Sequence, residues 1–376
     1  MEKKSQSLNQ ILSDSGHIYR FFFICILFLG VSCEKNTPIR FNQIQIIGSH
    51  NSYKQPIQEE LWQQIFQEDS IRAMELDYGH VGLTEQLNMG LRGLELDIFY
   101  DPQGGRYTNP LGLQLVKSQD NDSLPFDIEN KLTLPGLKVF HIQDIDFRSN
   151  SLLFKDALKE LKQWSAQHKG HIPIIITMNA KDQVLDLPDF TKPLTFDAEA
   201  LASIDKEILA VFDSSQLITP DFVRQEKKTL EQSILEHGWP TLDESKGKFL
   251  FVLDEMGEKM ATYGKSHPSL KNRVMFTISE PGNPESAFLI INDPIKHQDS
   301  IQKLVRQGYM VRTRADAGTW EARKNDYTRW NAALKSGAQV ISTDYYLPNP
   351  KFNTSYQIKF DSKKTYEMNP LSDSVE

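Results

Sequence analysis

The fold is decided by residues 91–101, which read Leu-Arg-Gly-Leu-Glu-Leu-Asp-Ile-Phe-Tyr-Asp. In an extended strand the three aliphatic side chains that follow the glycine share one face, while Glu95 and Asp97 share the other. Two neighbouring carboxylates in a sheet interior repel each other and are costly to desolvate unless a cation or a proton compensates them. We therefore expect a divalent metal ion beside a buried strand. The alternative is a solvated edge strand with its polar face outward, which fits the apolar Ile98 and Phe99 less well.

Further segments rich in branched and aromatic residues extend this pattern along the chain. With residues 92–99 they make eight predicted strands, the others being 43–47, 137–142, 172–179, 248–253, 273–279, 309–314 and 339–343. Helix-like stretches fall between several of them, most clearly at residues 152–168 and at 321–336, where Gly337 is placed to end the helix. Residues 111–134 and 183–196 are predicted to be long loops. Alternating strands and helices predict an α/β fold, a closed parallel (β/α)8 TIM-type barrel.

Composition limits the classes of function that the chain can have. It has 376 residues, is 39% hydrophobic and carries a formal net charge of -8, without any block of Lys and Arg. These values argue against a nucleic-acid partner. No Pro-, Gly- or Ser-rich linker divides the body, so we predict one domain over residues 41–349, followed by a C-terminal extension at 350–376.

The N-terminus has the features of a targeting segment. Basic residues precede an apolar run at 21–31, which is too short to span a bilayer. Residues 29–33, Leu-Gly-Val-Ser-Cys, resemble a bacterial lipoprotein signal, so residues 1–33 are predicted to be a signal peptide that ends at a lipidated Cys33. The expected location is extracytoplasmic and membrane-anchored. Secretion with an unused cysteine and a retained membrane anchor are the alternatives.

Polar residues follow or end four successive predicted strands. His50 and Asn51 come directly after the first strand, Glu95 and Asp97 lie on the second, and His141 ends the third. Asn179 and Lys181 alternate at the end of the strand after that. A single histidine in such a place is more often structural than catalytic. Because barrel enzymes carry their catalytic groups at the carboxyl ends of the strands, the combination predicts an active site at this rim.

Six segments resemble, in the same order, the calcium-dependent phosphatidylinositol-specific phospholipase C family of bacterial type, within the PLC-like phosphodiesterases. They are residues 47–53, 91–101, 138–149, Trp164 with 171–174, 311–317 and 336–344. The resemblance covers nearly the whole predicted domain. It implies a barrel in which Ca2+ and two histidines cleave the phosphodiester bond of an inositol phospholipid at a membrane surface. It implies no protein partner.

The resemblance also implies roles for individual residues. His50 and His141 would be the catalytic pair. The calcium ligands would be Asn51, Glu95, Asp97 and Asn179, an all-oxygen set that suits a hard cation. The family usually has an acidic ligand where this chain has Asn179, so the site has one negative charge fewer, which lowers its calcium affinity or shifts its metal preference.

Three basic residues are candidates for binding the substrate phosphate. Lys181 would point into the same rim, although a solvated surface lysine is the alternative. Arg312 and Arg314 alternate on the seventh predicted strand and would meet either a phosphate or internal carboxylates such as Asp316 and Asp344.

The implied reaction begins with calcium lowering the pKa of the inositol 2-hydroxyl and holding it beside phosphorus. Glu95 or Asp97 takes the hydroxyl proton, His50 stabilises the charged phosphorane, and His141 protonates the departing diacylglycerol oxygen. The product would be a cyclic or open inositol phosphate.

Two other functions remain open at this stage. A glycerophosphodiester phosphodiesterase shares the barrel, the paired carboxylates and two histidines, but it typically has His-Arg-Gly where this chain has His50, Asn51 and Ser52. A non-catalytic surface lipoprotein that binds inositol lipids or glycans is compatible with Asn179. The presence of both His50 and His141 argues against it, because binding alone needs no pair of proton-transfer groups.

Overall fold

A computed structural model describes residues 38–117, 124–226, 228–361 and 364–372 of the chain. They belong to a compact unit that begins at Pro38. The predicted signal peptide and Cys33 lie outside the described residues. None of the helices in these ranges combines the length and the apolar character that a membrane span requires.

The described residues form a nearly closed parallel barrel. Their strands are β1 (Ile44–Ser49), β2 (Gly93–Phe99), β3 (Lys138–Val139), β4 (Ile174–Ala180), β5 (Phe249–Leu253), β6 (Phe276–Thr277), β7 (Phe288–Ile290), β8 (Met310–Arg314), β9 (Val340–Thr343) and β10 (Glu367–Met368). Eight of them run in the order β6-β5-β4-β2-β1-β9-β8-β7. Among the described residues no strand pairing joins β6 to β7, which leaves one seam. The predicted (β/α)8 fold class is confirmed.

Helices surround the strands. They are α1 (Glu59–Glu68), α2 (Ser70–Glu75), α3 (Leu83–Asn88), α4 (Leu111–Lys117), α5 (Phe154–Gln167), α6 (Ala198–Val211), α7 (Pro220–Val223), α8 (Leu230–Glu236), α9 (Leu242–Ser245), α10 (Gly257–Gly264), α11 (Gln298–Gln307), α12 (Trp320–Lys324) and α13 (Thr328–Ser336). The predicted helix at residues 152–168 is confirmed as α5. Its buried side chains, among them Leu158, Leu161 and Trp164, keep the spacing of one helix face.

One of the eight predicted strands does not join the parallel barrel, and one barrel strand lies outside the predicted ranges. Residues 137–142 were expected to form a barrel strand, but only β3 is extended there, and it runs antiparallel to the end of β2. The chain bends at once after β3, where the Asp146 N–H donates to the Ile142 carbonyl. The eighth barrel strand is instead β7, whose three residues are too short to show an alternating pattern.

Two helix and loop boundaries also differ. The single helix predicted at residues 321–336 is divided into α12 and α13, because Asn325 adopts a left-handed conformation with φ 53°. Gly337 ends α13 as predicted, with φ 74°. The expected loop at residues 111–134 begins with the short helix α4.

The segment predicted as a C-terminal extension packs against the barrel. Tyr356 and Ile358 are buried beside Tyr345, whose carbonyl accepts a hydrogen bond of 2.8 Å from the Ile358 N–H. Further on, β10 pairs antiparallel with the start of β1, opposite Ile44. The far end of the chain therefore covers the first strand.

Two glycines set the distance between β1 and β2 where the site begins. Gly48 and Gly93 are register partners, and a Cβ atom on Gly48 would lie 2.8 Å from the Gly93 Cα. Above this contact, the Ser52 N–H donates to the Glu95 carbonyl over 2.9 Å. The close approach of the two backbones thus brings the residues that follow β1 against Glu95.

We expect Gly48→Ala to lower the free energy of unfolding by about 1–3 kcal/mol, because the added methyl group must push two paired strands apart. Gly264→Ala is the control, since a Cβ atom there meets nothing within 4 Å. Its effect should stay within about 0.5 kcal/mol. Urea denaturation of both variants measures the difference, and equal costs would show that the strands do not approach so closely.

Candidate active site at the carboxyl end of the barrel

His50 lies directly after β1 and is held by a buried carboxylate. Its Nδ1 is 2.9 Å from the Asp344 Oδ1, and Arg314 Nη2 donates to the other oxygen of Asp344 over 2.8 Å. Burial opposes the charged form of Asp344, but His50 and Arg314 outweigh it and hold its pKa well below the usual range. With Nδ1 engaged, Nε2 lies 3.8 Å from the Glu95 Oε1.

A second carboxylate, Asp316, lies behind Asp344. It accepts a hydrogen bond of 2.9 Å from the Asp344 N–H and another from the Thr343 hydroxyl. Burial and the negative charge of Asp344 raise the pKa of Asp316 to about 7. The two neighbouring carboxyls are therefore driven in opposite directions, and Asp344 is the one that carries the charge beside His50.

His141 follows β3 and has a carboxylate partner of its own. Its Nδ1 is 2.7 Å from the Asp146 Oδ2, within the tight loop that returns the chain to β3. The other oxygen of Asp146 lies 3.2 Å from the Lys54 Nζ, and both of these side chains are fully buried. Asp146 thus interacts with His141 on one side and with a buried ammonium group on the other.

Tyr78 connects the two histidine groups. The Lys54 Nζ lies 4.5 Å from its ring centroid, and the His50 ring lies 5.8 Å from it. Its hydroxyl accepts a hydrogen bond of 2.8 Å from the Asn51 Nδ2. Burial, followed by the charges of Asp344 and Asp146, raises the pKa of Tyr78 well above its usual value, so the hydroxyl stays protonated.

The paired carboxylates of β2 face the barrel interior and meet basic side chains. Glu95 forms an ion pair with Arg312 of β8, a strand that does not neighbour β2. Asp97 lies 3.2 Å from the Lys181 Nζ. Burial opposes ionisation of Glu95, but Arg312 and His50 outweigh it and lower its pKa. The sequence left a phosphate and internal carboxylates as possible partners of the two arginines. In the structure both arginines contact internal carboxylates, Arg312 that of Glu95 and Arg314 that of Asp344.

The expected calcium ligands form a donor set that suits a hard cation. Asp97 and Asn179 are register partners on β2 and β4, and the Asp97 Oδ1 is buried without a hydrogen-bond partner. The amide nitrogens of Asn51 and Asn179 donate to Tyr78 and to the Asp254 carbonyl, which leaves their oxygens for a metal ion. In the ranges that the structure describes, no group of three or more His, Cys, Asp or Glu side chains is arranged to hold a metal ion.

Sequence reasoning missed several residues of this site. Asp146 and Lys54 lie within or beside the segments that carry the family resemblance, but nothing in their spacing marked them as a pair. Tyr78 lies in an irregular loop without any strand signal. Asp254 directly follows a predicted strand. The same position after a strand predicted that His50 lies at the rim, so it could have predicted the place of Asp254 as well.

His80 is a buried histidine near the site, and its role is structural. It donates from Nε2 to the His50 carbonyl over 2.7 Å, and its ring stacks on Tyr346 at 5.4 Å. Burial lowers the pKa of His80 to about 4, so the ring is neutral at physiological pH. His80 therefore fixes the backbone of His50 and carries no proton to the rim.

Paired histidines and carboxylates at the rim of a parallel barrel define a phosphodiesterase-like protein. Residues 39–370 match the family described as Phosphoinositide phospholipase C, Ca2+-dependent, so the chain belongs to this family, whose characterised members are phosphodiesterases. No curated protein sequence matches the chain.

Two bacterial proteins of known structure illustrate the similarity of fold. One is a calcium-dependent phosphoinositol-specific phospholipase C of a Pseudomonas species with myoinositol; it has 14% identity and a TM-score of 0.51, and the match covers 88% of this chain and 96% of that one. The other is a Ca2+-dependent phosphatidylinositol-specific phospholipase C from Streptomyces antibioticus, with 15% identity, a TM-score of 0.51 and 82% and 95% coverage. At these identities the matches show the fold.

Asp316 predicts a pH dependence of stability. The folded protein binds the proton of the Asp316 carboxyl more tightly than the unfolded chain does. The free energy of unfolding therefore falls as the pH rises from about 3.9 to about 7. Above this window the loss is complete. Asp316→Asn has no such proton. The thermal midpoint of this variant should therefore increase relative to that of the wild type as the pH rises through the window.

Thermal unfolding at intervals between pH 4 and pH 8 measures this difference. The exposed Asp186→Asn is the control, and its midpoint should follow that of the wild type at every pH. A constant offset between Asp316→Asn and the wild type would contradict the assignment of the raised pKa.

Proposed function

We propose that the chain is a calcium-dependent phosphodiesterase that cleaves phosphatidylinositol-type lipids to diacylglycerol and a cyclic or open inositol phosphate. One observation carries the proposal: His50 and His141 are each hydrogen-bonded through Nδ1 to a buried carboxylate at the same end of the barrel. This arrangement fixes each ring through Nδ1, so that Nε2 is the nitrogen that can transfer a proton or meet a charged oxygen of the substrate.

The roles follow from the neighbours of each histidine. Arg314 Nη1 lies 3.4 Å from the His50 Nε2, so the two groups stabilise the negative charge that develops on the phosphorane. His141, with Asp146 behind it, protonates the departing diacylglycerol oxygen. The carboxylate pair Glu95 and Asp97 receives the proton of the inositol hydroxyl. Calcium, when bound by Asn51, Glu95, Asp97 and Asn179, supplies Lewis-acid activation of that hydroxyl and neutralises phosphate charge.

Lys181 is the second basic residue that we propose for binding the substrate phosphate. Lys181 lies at the end of β4, with a third of its side chain exposed, next to Asp97. Burial opposes its charged form, but Asp97 outweighs it and raises the pKa of Lys181, so it remains a cation. We propose that Lys181 contacts the substrate phosphate from the open side of the rim, while Arg312 acts through Glu95.

His141→Ala should lower kcat by about 10²–10⁴-fold, the usual contribution of a general acid, and leave calcium affinity unchanged. The measurement is release of water-soluble inositol phosphate from phosphatidylinositol vesicles by the full chain, with calcium titrated against a chelator. His237→Ala, at an exposed position, is the matched control and should retain full activity.

Other results of this experiment favour other functions. If the folded wild type releases no inositol phosphate but hydrolyses glycerophosphodiesters, the glycerophosphodiester phosphodiesterase function replaces our proposal. If it hydrolyses neither and binds inositol lipid vesicles, the chain is a binding protein.

The rim around the site carries exposed apolar side chains, which suit a lipid surface. They lie on the loops that follow β2, β4, β5 and β9, and the most exposed are Ile128 at 80% and Met256 at 68%. The others are Leu124, Val184, Leu187 and Leu347. Apolar side chains gathered around a catalytic opening are typical of proteins that dock on membranes. We propose that these loops insert between lipid headgroups while the substrate headgroup enters the barrel, and that lipidation of Cys33 keeps the protein near its membrane.

Leu187→Asp should weaken binding to phosphatidylinositol vesicles, because a carboxylate at the membrane boundary must remain hydrated. Leu209→Asp on α6 is the matched control, with 53% exposure against 54% for Leu187. Vesicle co-sedimentation should show loss of binding for the first variant alone, and equal binding by both variants would exclude this rim from the lipid contact.

A further inference from the structure

The barrel lacks one of its covering helices at the seam between β6 and β7. Every other connection between consecutive strands of the parallel barrel contains at least one helix. Residues 278–287, which join β6 to β7 and are all described, contain none. They form a tight loop instead, in which the Ser286 hydroxyl donates to the Ser279 carbonyl over 2.8 Å. Because helices normally cover the outside of such a barrel, the sheet is left uncovered where its strands are also unpaired.

A cavity of about 480 Å³ lies at this uncovered seam. Its apolar lining includes the side chains of Met256, Ile278, Leu289, Ile290, Ile291 and Leu304. Its polar lining residues, Glu280, Ser300, Lys303 and Gln307, are all exposed, so they belong to its outer edge. The inner wall of the cavity is therefore apolar.

The seam cavity crosses the free edge of β7. Ile290 is the register partner of Arg312, which faces the barrel interior through its ion pair with Glu95. The neighbouring Leu289 is the partner of Val311, which packs outward against α11. Register partners project to the same face of a sheet, so Leu289 and Ile290 line the cavity from opposite faces. One wall of the cavity thus lies on the face that carries Arg312.

The seam cavity also lies at the active-site end of the barrel. Met256 follows β5, Ile278 follows β6 and Ile291 follows β7, so three strands supply lining residues just beyond their carboxyl ends. Met256, at 68% exposure, is one of the rim residues that we propose to meet the lipid surface. The cavity is therefore continuous with this apolar rim.

The volume of the seam cavity limits what it can hold. A ten-residue helix is about 10 Å across and about 15 Å long, so it fills roughly 1,200 Å³. The cavity has less than half of this volume, at about 480 Å³, and cannot take a helix of a partner protein in place of the missing one. Its size is typical of small-molecule sites. An apolar inner wall favours an aliphatic chain over a sugar or a phosphate, whose polar groups need hydrogen-bond partners when they are buried.

We propose that the seam cavity binds an acyl chain of the lipid substrate. The chain enters from the membrane side past Met256, while the inositol headgroup occupies the barrel interior. The inference rests on the proposed phosphodiesterase function and adds a site for the apolar part of the same substrate. It has the consequence that kcat/KM depends on the length of the acyl chains.

The first test is binding of dihexanoylglycerol, a soluble short-chain form of the proposed product, to the purified full chain by isothermal titration calorimetry. Ser300→Trp places a large side chain at the edge of the cavity. It should weaken binding about tenfold, the equivalent of roughly two buried methylene groups. If this variant does not fold, by circular dichroism, Gln307→Trp takes its place at another lining position.

Arg306→Trp is the matched control for this binding experiment. It adds the same side chain to the same helix, α11, at an exposed position outside the cavity lining. Its affinity for dihexanoylglycerol should differ from that of the wild type by less than about twofold, as is usual for surface substitutions.

Chain length separates an acyl chain of the substrate from one of another lipid. Monomeric phosphatidylinositols with six- and eight-carbon chains are the substrates to compare. The kcat/KM of the wild type should rise with chain length, and Ser300→Trp should lose most of this rise. Glycerophosphoinositol, which has no acyl chain, should be cleaved equally by both proteins. If Ser300→Trp weakens dihexanoylglycerol binding but keeps the full dependence on chain length, the cavity holds another lipid and our assignment to the substrate is wrong.

The outcomes also distinguish this inference from the proposed function. An unchanged dihexanoylglycerol affinity in folded Ser300→Trp, or no binding by the wild type, would overturn the acyl-chain site even if the wild type cleaves phosphatidylinositol. Binding that Ser300→Trp weakens, in a wild type that cleaves no phosphatidylinositol, would refute the proposed reaction and leave a site for an aliphatic chain.

Discussion

The ion pair between Glu95 and Arg312 is the interaction on which the site depends. It crosses the barrel interior from β2 to β8 and allows a carboxylate to lie among buried strands. Without the guanidinium, desolvation of Glu95 would oppose the closure of the barrel around it. The same carboxylate also lies beside the first histidine, with the His50 Nε2 3.8 Å from the Glu95 Oε1.

Both histidines share their carboxylates with a basic side chain. Asp344 interacts with His50 and Arg314, and Asp146 interacts with His141 and Lys54. A carboxylate with a second positive partner is a weaker base, so it orients the imidazole without removing its proton. The two histidines therefore have the same kind of electrostatic environment, although the basic residue differs: Arg314 beside Asp344 and Lys54 beside Asp146.

The amino-acid sequence predicts this molecule best where strands are long and regular. The alternation in β2 and the carboxyl-end positions of His50 and Asn179 follow from periodicity and from barrel geometry, and they place these residues at one rim. The strand β7 is too short for periodicity, and β3 depends on pairing with β2 that no local pattern reveals. Tyr78 belongs to the site through tertiary contacts alone, which single-sequence patterns do not contain.

The position of β1 has a consequence for the order in which the chain can fold. This first strand pairs with β2 on one side and β9 on the other, while β10 joins its beginning at Ile44. Two of these partners come from near the end of the sequence, so β1 stays incompletely paired until almost the whole chain is available. Contacts of such long sequence separation form slowly and leave strand edges open to wrong pairing in the meantime. The first strand of the barrel can therefore complete its pairing only after β9 and β10 are available.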